Sequence, residues 1–355
     1  MNHYKLAIII PSWNCNEYIG EMLDSIIANS YVNWKCFVID DHSTDDSIDV
    51  IKAFQARDSR IISVVRDRQP KGAQTCRNIG YELSEGAEYV IWFDADDVVA
   101  PYCFLQRIEY MDRHPELDFG IFPAKTFKEQ LWEVDESTMV YGIRFGTDSL
   151  QDMLKWCLPM VGWTNIYRRS SVKKYNLFWD TKLKSMQDSD FNISALLKGL
   201  NYGFAADENA HVDYFYRVGQ ASGTTVASKI KSVEHMESHL YLLNKILSSL
   251  NKKQLRLYRR DIECYLFKFA DIFRQSKPVY MRFLKIPYIQ EHKHLWYSLF
   301  VYKTFAAHYP FYWKKQELCE LVMMNHLQRD WNKRQEEWKE HIKKYKESII
   351  EDRIM

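Results

Sequence analysis

Short apolar runs alternate with amphipathic segments in the N-terminal part of the chain. Four of these runs are rich in β-forming residues and too short for helices. Each predicts a strand buried on both faces, at Leu6–Ile10, Cys36–Ile39, Ile61–Val65 and Tyr89–Phe93. Between the first two runs, the apolar residues of Ile19–Ile27 recur with the period of a helix. Strands that alternate with helices through short connections predict an α/β fold with a mainly parallel sheet and right-handed crossovers.

The pattern of apolar and polar residues changes from about Ser228 onward. Patterns typical of strands end there, and apolar residues recur with the period of helices. Helices are predicted over about 252–275, 289–307 and 314–324, and a highly charged helix ends the chain. We therefore expect an α/β domain over residues 1–225 and a mostly helical domain over residues 226–355. The last helix carries an apolar seam at nearly heptad spacing, formed by Leu327, Trp331, Trp338, Ile342, Tyr345 and Ile349. Such a seam predicts either packing on its own domain or pairing of two chains in a homodimer.

Aromatic and basic residues interleave in the helical half, between Lys293 and Lys315. This mixture suits peripheral contact with a membrane surface. An ordinary aromatic core with solvated lysines is the alternative interpretation. The aromatic residues concerned are Trp296, Tyr297, Phe300, Tyr302, Phe305, Tyr309, Phe311, Tyr312 and Trp313.

Composition narrows the class of protein. The chain has 355 residues with 46% hydrophobic residues and a formal net charge of +1, which argues against a nucleic-acid partner bound through bulk charge. Its seven cysteines include no CxxC pair, so neither a zinc site nor a disulfide scaffold is indicated, and a reducing cytosol is the simplest setting. No apolar segment reaches transmembrane length. We expect a cytoplasmic protein, soluble or peripheral on the inner face of the membrane.

Polar residues follow three of the predicted strands. Pro11 and Ser12 end the first, Asp40 and Asp41 end the second, and Asp94–Asp97 follow the fourth. The carboxyl ends of parallel strands lie at one edge of a sheet, where ligands of open sheets bind. Crowded carboxylates repel one another unless a cation compensates, and an oxygen-only cluster suits Mg²⁺ or Mn²⁺. A strand-to-turn junction rich in aspartate is the alternative. No glycine-rich phosphate loop is present.

Four motifs in this order resemble the family 2 glycosyltransferases, over roughly the first 220 residues. They are Ile8–Asn14, Val38–Asp45, Lys71-Gly72 with Arg77–Gly80, and the Asp94-Ala95-Asp96 triplet. The resemblance implies the GT-A fold, a Rossmann-like sheet flanked by helices, and a nucleotide-sugar site.

The resemblance also implies roles for single residues. Asp41 is expected to contact a uracil ring, Pro11 and Ser12 to lie where the first strand meets the base, and Arg77 to brace the nucleotide pocket. The carboxylates of the Asp94-Ala95-Asp96 motif are expected to hold the ribose and a divalent metal on the diphosphate. Asp96 and Asp97 are the predicted metal ligands.

The same resemblance extends to segments further along the chain. Asp188 lies where family members carry the proposed catalytic base, although Gln187 replaces the usual preceding glutamate. N-capping of a helix by Asp188 or Asp190 is the alternative. Trp163 and Asp190 are candidate acceptor contacts, with core packing as the alternative for Trp163. Arg217, near the end of the family's closing strand, is expected to reach the diphosphate.

Together these features predict a metal-dependent inverting glycosyltransferase. It would move a sugar from a UDP-sugar to a hydroxyl of a glycan or lipid-linked acceptor, in bacterial surface polysaccharide assembly. A catalytically silent nucleotide- or glycan-binding module is the alternative, suggested by Gln187 and by the large helical appendage. A sugar-phosphate nucleotidyltransferase fits less well, because Pro11-Ser12-Trp13 is not the glycine-rich loop that such enzymes need.

Overall fold

Eleven strands form two sheets in the computed structural model, which describes residues 3–128, 130–218, 232–296, 299–300 and 324–351. The strands are β1 (Tyr4–Ser12), β2 (Trp34–Asp40), β3 (Ile61–Val65), β4 (Ala87–Trp92), β5 (Val98–Val99), β6 (Phe119–Ile121), β7 (Ala124–Phe127), β8 (Val140–Tyr141), β9 (Asn165–Arg168), β10 (Tyr202–Phe204) and β11 (Tyr214–Arg217). The larger sheet has the order β10-β6-β9-β4-β1-β2-β3, and the smaller sheet has the order β5-β11-β7-β8.

Thirteen helices have bounds within the described residues. They are α1 (Ile19–Ile27), α2 (Ser47–Arg57), α3 (Ala73–Leu83), α4 (Cys103–Arg113), α5 (Ser149–Leu154), α6 (Arg169–Lys174), α7 (Gln187–Leu197), α8 (Val233–Ser249), α9 (Lys252–Leu257), α10 (Arg259–Phe273), α11 (Lys277–Phe283), α12 (Pro287–Glu291) and α13 (Met324–Glu351). Short 3-10 helices cover Gly162–Thr164 and Ala205–Glu208.

The four predicted strands form the parallel centre of the larger sheet. β1 pairs in parallel with β2 on one side and with β4 on the other, and β2 pairs with β3. Side chains of Leu6–Ile10 are fully buried, because helices cover both faces of this part of the sheet. The predicted α/β architecture is confirmed.

The largely apolar stretch Phe119–Phe127 forms two strands in different sheets. β6 joins the larger sheet and β7 joins the smaller one, with Phe122 and Pro123 between them. Pro123 has no N–H to donate to a ladder, so a continuous strand through it is disfavoured. A further difference is β9, which is antiparallel to both β4 and β6. The chain passes from the larger to the smaller sheet between β6 and β7, and the smaller sheet contacts the aspartate motif through β11.

The helical half packs directly on the larger sheet. Met236, Leu240 and Leu243 of α8 share one buried core with Trp179 and Phe191 of the α/β part. The predicted helix over 252–275 is broken near Tyr258 into α9 and α10. Of the predicted helix over 289–307, residues 289–296 and 299–300 are described, and α12 ends within them at Glu291. Nearly all of the predicted helix over 314–324 lies outside the described residues, as does most of the aromatic and basic segment. The division of domains at residue 225 stays a prediction.

The apolar seam of α13 packs on its own chain. Trp331, Trp338 and Ile342 are buried, and the Trp338 ring lies 4.9 Å from the Phe145 ring. A hydrogen bond of 2.5 Å from Arg334 to Asp152 fixes the same helix. Of the two interpretations of this seam, packing within the chain is therefore the one the structure favours. Among the described residues, no helix combines the length and the apolar character needed to cross a membrane.

Close packing of α3 on β1 makes Gly80 sensitive to substitution. A Cβ at Gly80 would overlap the Cγ2 atom of Ile9, whereas a Cβ at Gly20 in α1 would meet only ordinary contacts, the nearest 3.6 Å away on Phe54. We expect Gly80→Ala to lower the free energy of unfolding by about 1–3 kcal/mol through overpacking. The matched Gly20→Ala change should leave it the same or higher, since alanine favours the helix. Urea unfolding of both variants measures the difference, and equal midpoints would contradict the predicted close contact.

Candidate active site

Three strand ends meet at one rim of the larger sheet. Pro11 and Ser12 end β1, Asp40 and Asp41 lie at the end of β2, and Asp94–Asp97 follow β4. Ser12 lies opposite Asp40 in the parallel ladder, and the Asp41 N–H donates to the Ser12 carbonyl at 2.8 Å. β4 lies on the other side of β1. The structure thus brings together the polar groups that the sequence placed at separate strand ends.

A buried guanidinium connects two predicted parts of the site. Arg77, on α3, donates to Asp94 Oδ1 at 2.6 Å and to Gln187 Oε1 at 2.9 Å. Its guanidinium carbon lies 4.4 Å from the centre of the Trp179 ring. Arg77 therefore ties the aspartate motif after β4 to the first residue of α7. Gln187, where the family resemblance leads one to expect a glutamate, supplies the acceptor that this contact needs.

Asp188 lies at the start of α7 but does not cap it. The N-cap residue is Met186, with a φ of 60° and no side-chain capping bond. Instead, Asp188 Oδ1 accepts a hydrogen bond of 3.1 Å from the Gly162 N–H. Burial raises the pKa of Asp188 above its ordinary value; the Arg77 guanidinium opposes this rise and the Asp94 carboxylate adds to it. A raised pKa suits a general base, because such a group works best with a pKa nearer the operating pH.

Gly162 is a site residue that the sequence alone did not single out. A Cβ at this position would overlap Asp188 Oδ1, so only glycine lets the backbone N–H approach the carboxylate so closely. The two residues are 26 positions apart in the chain. A glycine before an aromatic residue carries no local signal for such a contact.

Asp97, predicted as a metal ligand, is fully buried. Its Oδ2 accepts a hydrogen bond of 2.5 Å from the Tyr214 hydroxyl, and its Oδ1 accepts one of 2.7 Å from the Arg217 N–H. Both carboxylate oxygens are thus engaged by β11. This geometry gives Asp97 the task of fixing the loop after β4 against the smaller sheet.

Asp96 differs from its neighbour because its side chain reaches solvent. Neighbouring protein atoms nevertheless remove part of the water around this carboxylate. This partial desolvation is the larger cause, and repulsion from Asp94 the smaller one, of a pKa of Asp96 raised to about 6. Ala95 between them is buried. Within the described ranges, no group of three or more His, Cys, Asp or Glu side chains converges as a metal cage. Any divalent ion here would need oxygens from a bound ligand in addition to the protein's carboxylates.

Arg217 lies over the loop that contains Asp96. Its Nε donates to the Asp96 carbonyl at 2.8 Å, and its guanidinium forms an ion pair with Glu21 of α1. The guanidinium carbon is 4.5 Å from the centre of the Phe127 ring. These contacts hold a positive charge at the edge of the aspartate motif.

At the other end of the rim, Asp41 is buried in an ion pair with Arg66. Sequence reasoning missed Arg66, although a signal existed: it directly follows β3, as Asp41 directly follows β2. The same rim exposes the Trp13 ring, with the Lys71 ammonium 4.2 Å from its centre.

Both candidate acceptor residues are occupied within the protein. The Trp163 ring is buried and stacks on Tyr214 and Tyr216, at 4.8 Å and 5.3 Å between ring centres. This is the core-packing alternative, and it leaves little of the ring for a sugar. The Asp190 carboxylate is 3% exposed and pairs with Lys245 of α8 at 2.8 Å. Neither side chain presents the acceptor surface that the sequence suggested.

Comparison with known proteins assigns the family. Residues 7–175 match the family Glycosyl transferase family 2. Residues 7–175 therefore form a family 2 glycosyltransferase domain. The family and the GT-A fold predicted from the motifs are confirmed.

The chain is similar to two relatives of known name and to one solved structure. Poly(ribitol-phosphate) beta-glucosyltransferase of Bacillus spizizenii is 23% identical over 227 residues, which cover 60% of this chain but only 32% of that protein. WfaP of Escherichia coli, a UDP-Glc:alpha-D-GlcNAc-diphosphoundecaprenol beta-1,3-glucosyltransferase, is 27% identical over 230 residues, covering 64% of this chain and 82% of WfaP. The structure of Staphylococcus aureus TarS 1-349 in complex with UDP-GlcNAc has a TM-score of 0.59 and 17% identity, covering 80% of this chain and 82% of TarS 1-349.

The raised pKa of Asp96 predicts a pH-dependent effect of Asp96→Asn on stability. Since this pKa is about 6 in the folded chain against an ordinary 3.8, the folded state holds the proton more tightly. Wild-type stability should therefore fall as the pH rises through 6, and this loss should be absent in the variant. In metal-free buffer we expect Asp96→Asn to be the more stable protein at about pH 8, with the gap closing toward about pH 4.

Urea unfolding midpoints across this pH range measure the gap. Asp271→Asn, at an exposed site on α10, serves as the control and should show no comparable pH-dependent gap. A difference between Asp96→Asn and wild type that stays constant with pH would contradict the assigned pKa.

Proposed function

We propose that this protein is an inverting glycosyltransferase that moves a sugar from a UDP-sugar to an acceptor hydroxyl. The observation that carries the proposal is the bridge made by Arg77, which holds Asp94 and Gln187 beside the candidate base Asp188. Arg77 thereby links the proposed donor-side carboxylate to the first residue of the helix that carries the proposed acceptor-side carboxylate. A single displacement needs these two functions and no nucleophilic residue of the protein.

The uridine end of the donor would bind at Pro11, Ser12 and the ion pair of Asp41 with Arg66. Their position at the carboxyl ends of β1, β2 and β3 supports this, because ligands of open parallel sheets bind at such ends. The names of two similar proteins add support: WfaP uses UDP-Glc, and TarS was solved with UDP-GlcNAc. The diphosphate would then extend toward Asp94, Ala95 and Asp96, with Arg217 at the edge.

A divalent ion, Mn²⁺ or Mg²⁺, fits the residues at Asp96. The solvent-facing carboxylate has a pKa raised to about 6 by partial desolvation and by Asp94. A nearby cation would offset both effects by stabilising the charged form. Mg²⁺ is commonly held by one or two carboxylates together with substrate phosphates, which matches the absence of a cage within the described residues. We propose Asp96 as the ligand, assisted by Asp94, with Asp97 bracing their loop. When bound, such an ion neutralises charge on the leaving diphosphate as a Lewis acid.

Asp188 would remove the proton from the acceptor hydroxyl. The hydrogen bond from Gly162 fixes one oxygen of its carboxylate, and burial raises its pKa toward that of a useful base. Gln187 does not argue for a silent protein, because its amide oxygen already satisfies Arg77. The enzymatic proposal is therefore stronger than the binding-module alternative.

The names of the similar proteins support a proposal about the class of acceptor. Their names include a poly(ribitol-phosphate) and a diphosphoundecaprenol-linked sugar. We propose that this chain likewise glycosylates a cell-surface polymer or its lipid-linked precursor in a bacterium. Work on a lipid-linked precursor would place it in the cytoplasm at the membrane surface.

Substitution of the two carboxylates should separate chemistry from donor binding. Asp188→Asn should lower turnover about 10²–10⁴-fold, the usual contribution of a general base, and leave UDP affinity unchanged. Asp96→Ala should weaken UDP binding in the presence of manganese as well as turnover. Release of UDP from a panel of UDP-sugars with Mn²⁺ measures turnover, and titration calorimetry with UDP measures affinity.

The control for these variants is again Asp271→Asn, which should behave as wild type in both assays. Loss of turnover in Asp96→Ala but not in Asp188→Asn would overturn the role given to Asp188. Tight UDP binding by wild type with no turnover of any donor would favour the silent binding module.

A further inference from the structure

Helix α8 of the helical half carries a lysine that joins two buried carboxylates of the α/β part. Lys245 Nζ lies 2.8 Å from Asp180 Oδ2 and 2.8 Å from Asp190 Oδ1. The side chains of Asp180 and Asp190 are only 8% and 3% exposed. Buried carboxylates of this kind are costly unless paired, so Lys245 is the charge that allows both to remain inside.

The two carboxylates belong to the segments that position the candidate base and its arginine neighbour. Asp190 is in the first turn of α7, two residues after Asp188. Asp180 directly follows Trp179, whose ring lies 4.4 Å from the Arg77 guanidinium. One ammonium group therefore links the turn that carries Asp188 to the segment on which Arg77 rests.

Trp179, the residue before Asp180, is itself fixed to α3. Asn78 Nδ2 donates to the Trp179 carbonyl at 2.8 Å, and the Trp179 N–H donates to Asn78 Oδ1 at 3.0 Å. Asn78 is the residue after Arg77. The connection from Lys245 through Asp180 and Trp179 thus reaches Asn78, the neighbour of Arg77 in α3.

The same face of α8 also holds the chain just before α7. Ser238 Oγ accepts hydrogen bonds from the N–H groups of Lys184 and Ser185, at 2.9 Å and 3.4 Å. His239 Nε2 lies 3.5 Å from the Ser185 hydroxyl. The next residue, Met186, adopts a left-handed φ of 60° from which α7 begins. Contacts from α8 therefore fix both ends of the turn that delivers Asp188.

We propose that Lys245 is a positioning residue for the transfer reaction, which holds Asp188 in register with Arg77 by pairing with Asp190 and Asp180. This inference rests on the proposed function and assigns the helical half a part in catalysis. Lys245 contacts neither donor nor acceptor in this proposal. Its removal should misplace the base more than the proposed uridine pocket, which lies at the ends of β1, β2 and β3.

The test compares Lys245→Met with Lys245→Arg and with a control, Lys253→Met, at an exposed position on α9. The two measurements are the maximal rate of UDP release from the donor that wild type uses best, with Mn²⁺, and the Kd for UDP. We expect Lys245→Met to lower the maximal rate roughly 10- to 100-fold, as small misplacements of catalytic groups do, with an unchanged Kd. Lys245→Arg should retain most of the rate, and the control should match wild type.

A triple variant separates positioning from stability. Lys245→Met alone removes the cation from two buried carboxylates, although the Tyr241 hydroxyl and the Lys182 N–H still donate to Asp180. The loss of this cation should lower the unfolding temperature. Adding Asp180→Asn and Asp190→Asn removes those charges and should restore much of the unfolding temperature. Since the ionic link between the two segments is still missing, the maximal rate should remain low.

Two results would overturn the inference while leaving the proposed function intact. One is a Lys245→Met protein with the wild-type maximal rate. The other is a triple variant that recovers rate and unfolding temperature together, which would show a purely structural role. If wild type itself releases no UDP from any donor, the proposed function fails and the inference fails with it, and this result is visible before any variant is made.

Discussion

The candidate site depends on the burial of one positive charge, the guanidinium of Arg77. A guanidinium cannot be neutralised in a protein, so its burial requires acceptors arranged around its fixed planar shape. Asp94 and Gln187 supply two of these acceptors, and the Trp179 ring lies against the guanidinium. These partners come from two separate stretches of the chain, one after β4 and one from Trp179 to the start of α7. Pairing with Arg77 therefore also brings the aspartate motif and α7 together. The position of Asp188 follows from this constraint.

A second buried network sets the smaller sheet against this rim. Arg107 of α4 makes two hydrogen bonds to Asp213, at 2.9 Å and 2.7 Å, and both side chains are fully buried. A further bond of 3.1 Å joins Arg107 to the Trp163 carbonyl, next to the glycine that contacts Asp188. Asp213 precedes β11, whose Tyr214 and Arg217 bind Asp97. Breaking one partner of such a pair is strongly destabilising, so this network fixes geometry rather than supplying chemistry.

The helical half packs against the segments that carry the candidate site residues. Its core is continuous with that of the larger sheet, and its polar contacts from α8 fall on the segments next to Arg77 and Asp188. The two ion pairs of Lys245 agree with the proposed role of the helical half in positioning Asp188.

The sequence by itself determined the parallel centre of the larger sheet and the rim of polar residues, because strand periodicity and strand ends are local properties of the chain. The family resemblance, carried by motifs of the same sequence, also marked Asp94, Asp96 and Asp188. Tertiary structure alone decided that Asp96 faces solvent while the adjacent Asp97 is buried, that Trp163 packs in the core and that Asp190 pairs with Lys245. Those outcomes depend on partners far away in the chain, such as Asp97 and Tyr214, which are 117 positions apart. No local pattern of hydrophobic and polar residues records which distant side chain will satisfy a buried charge.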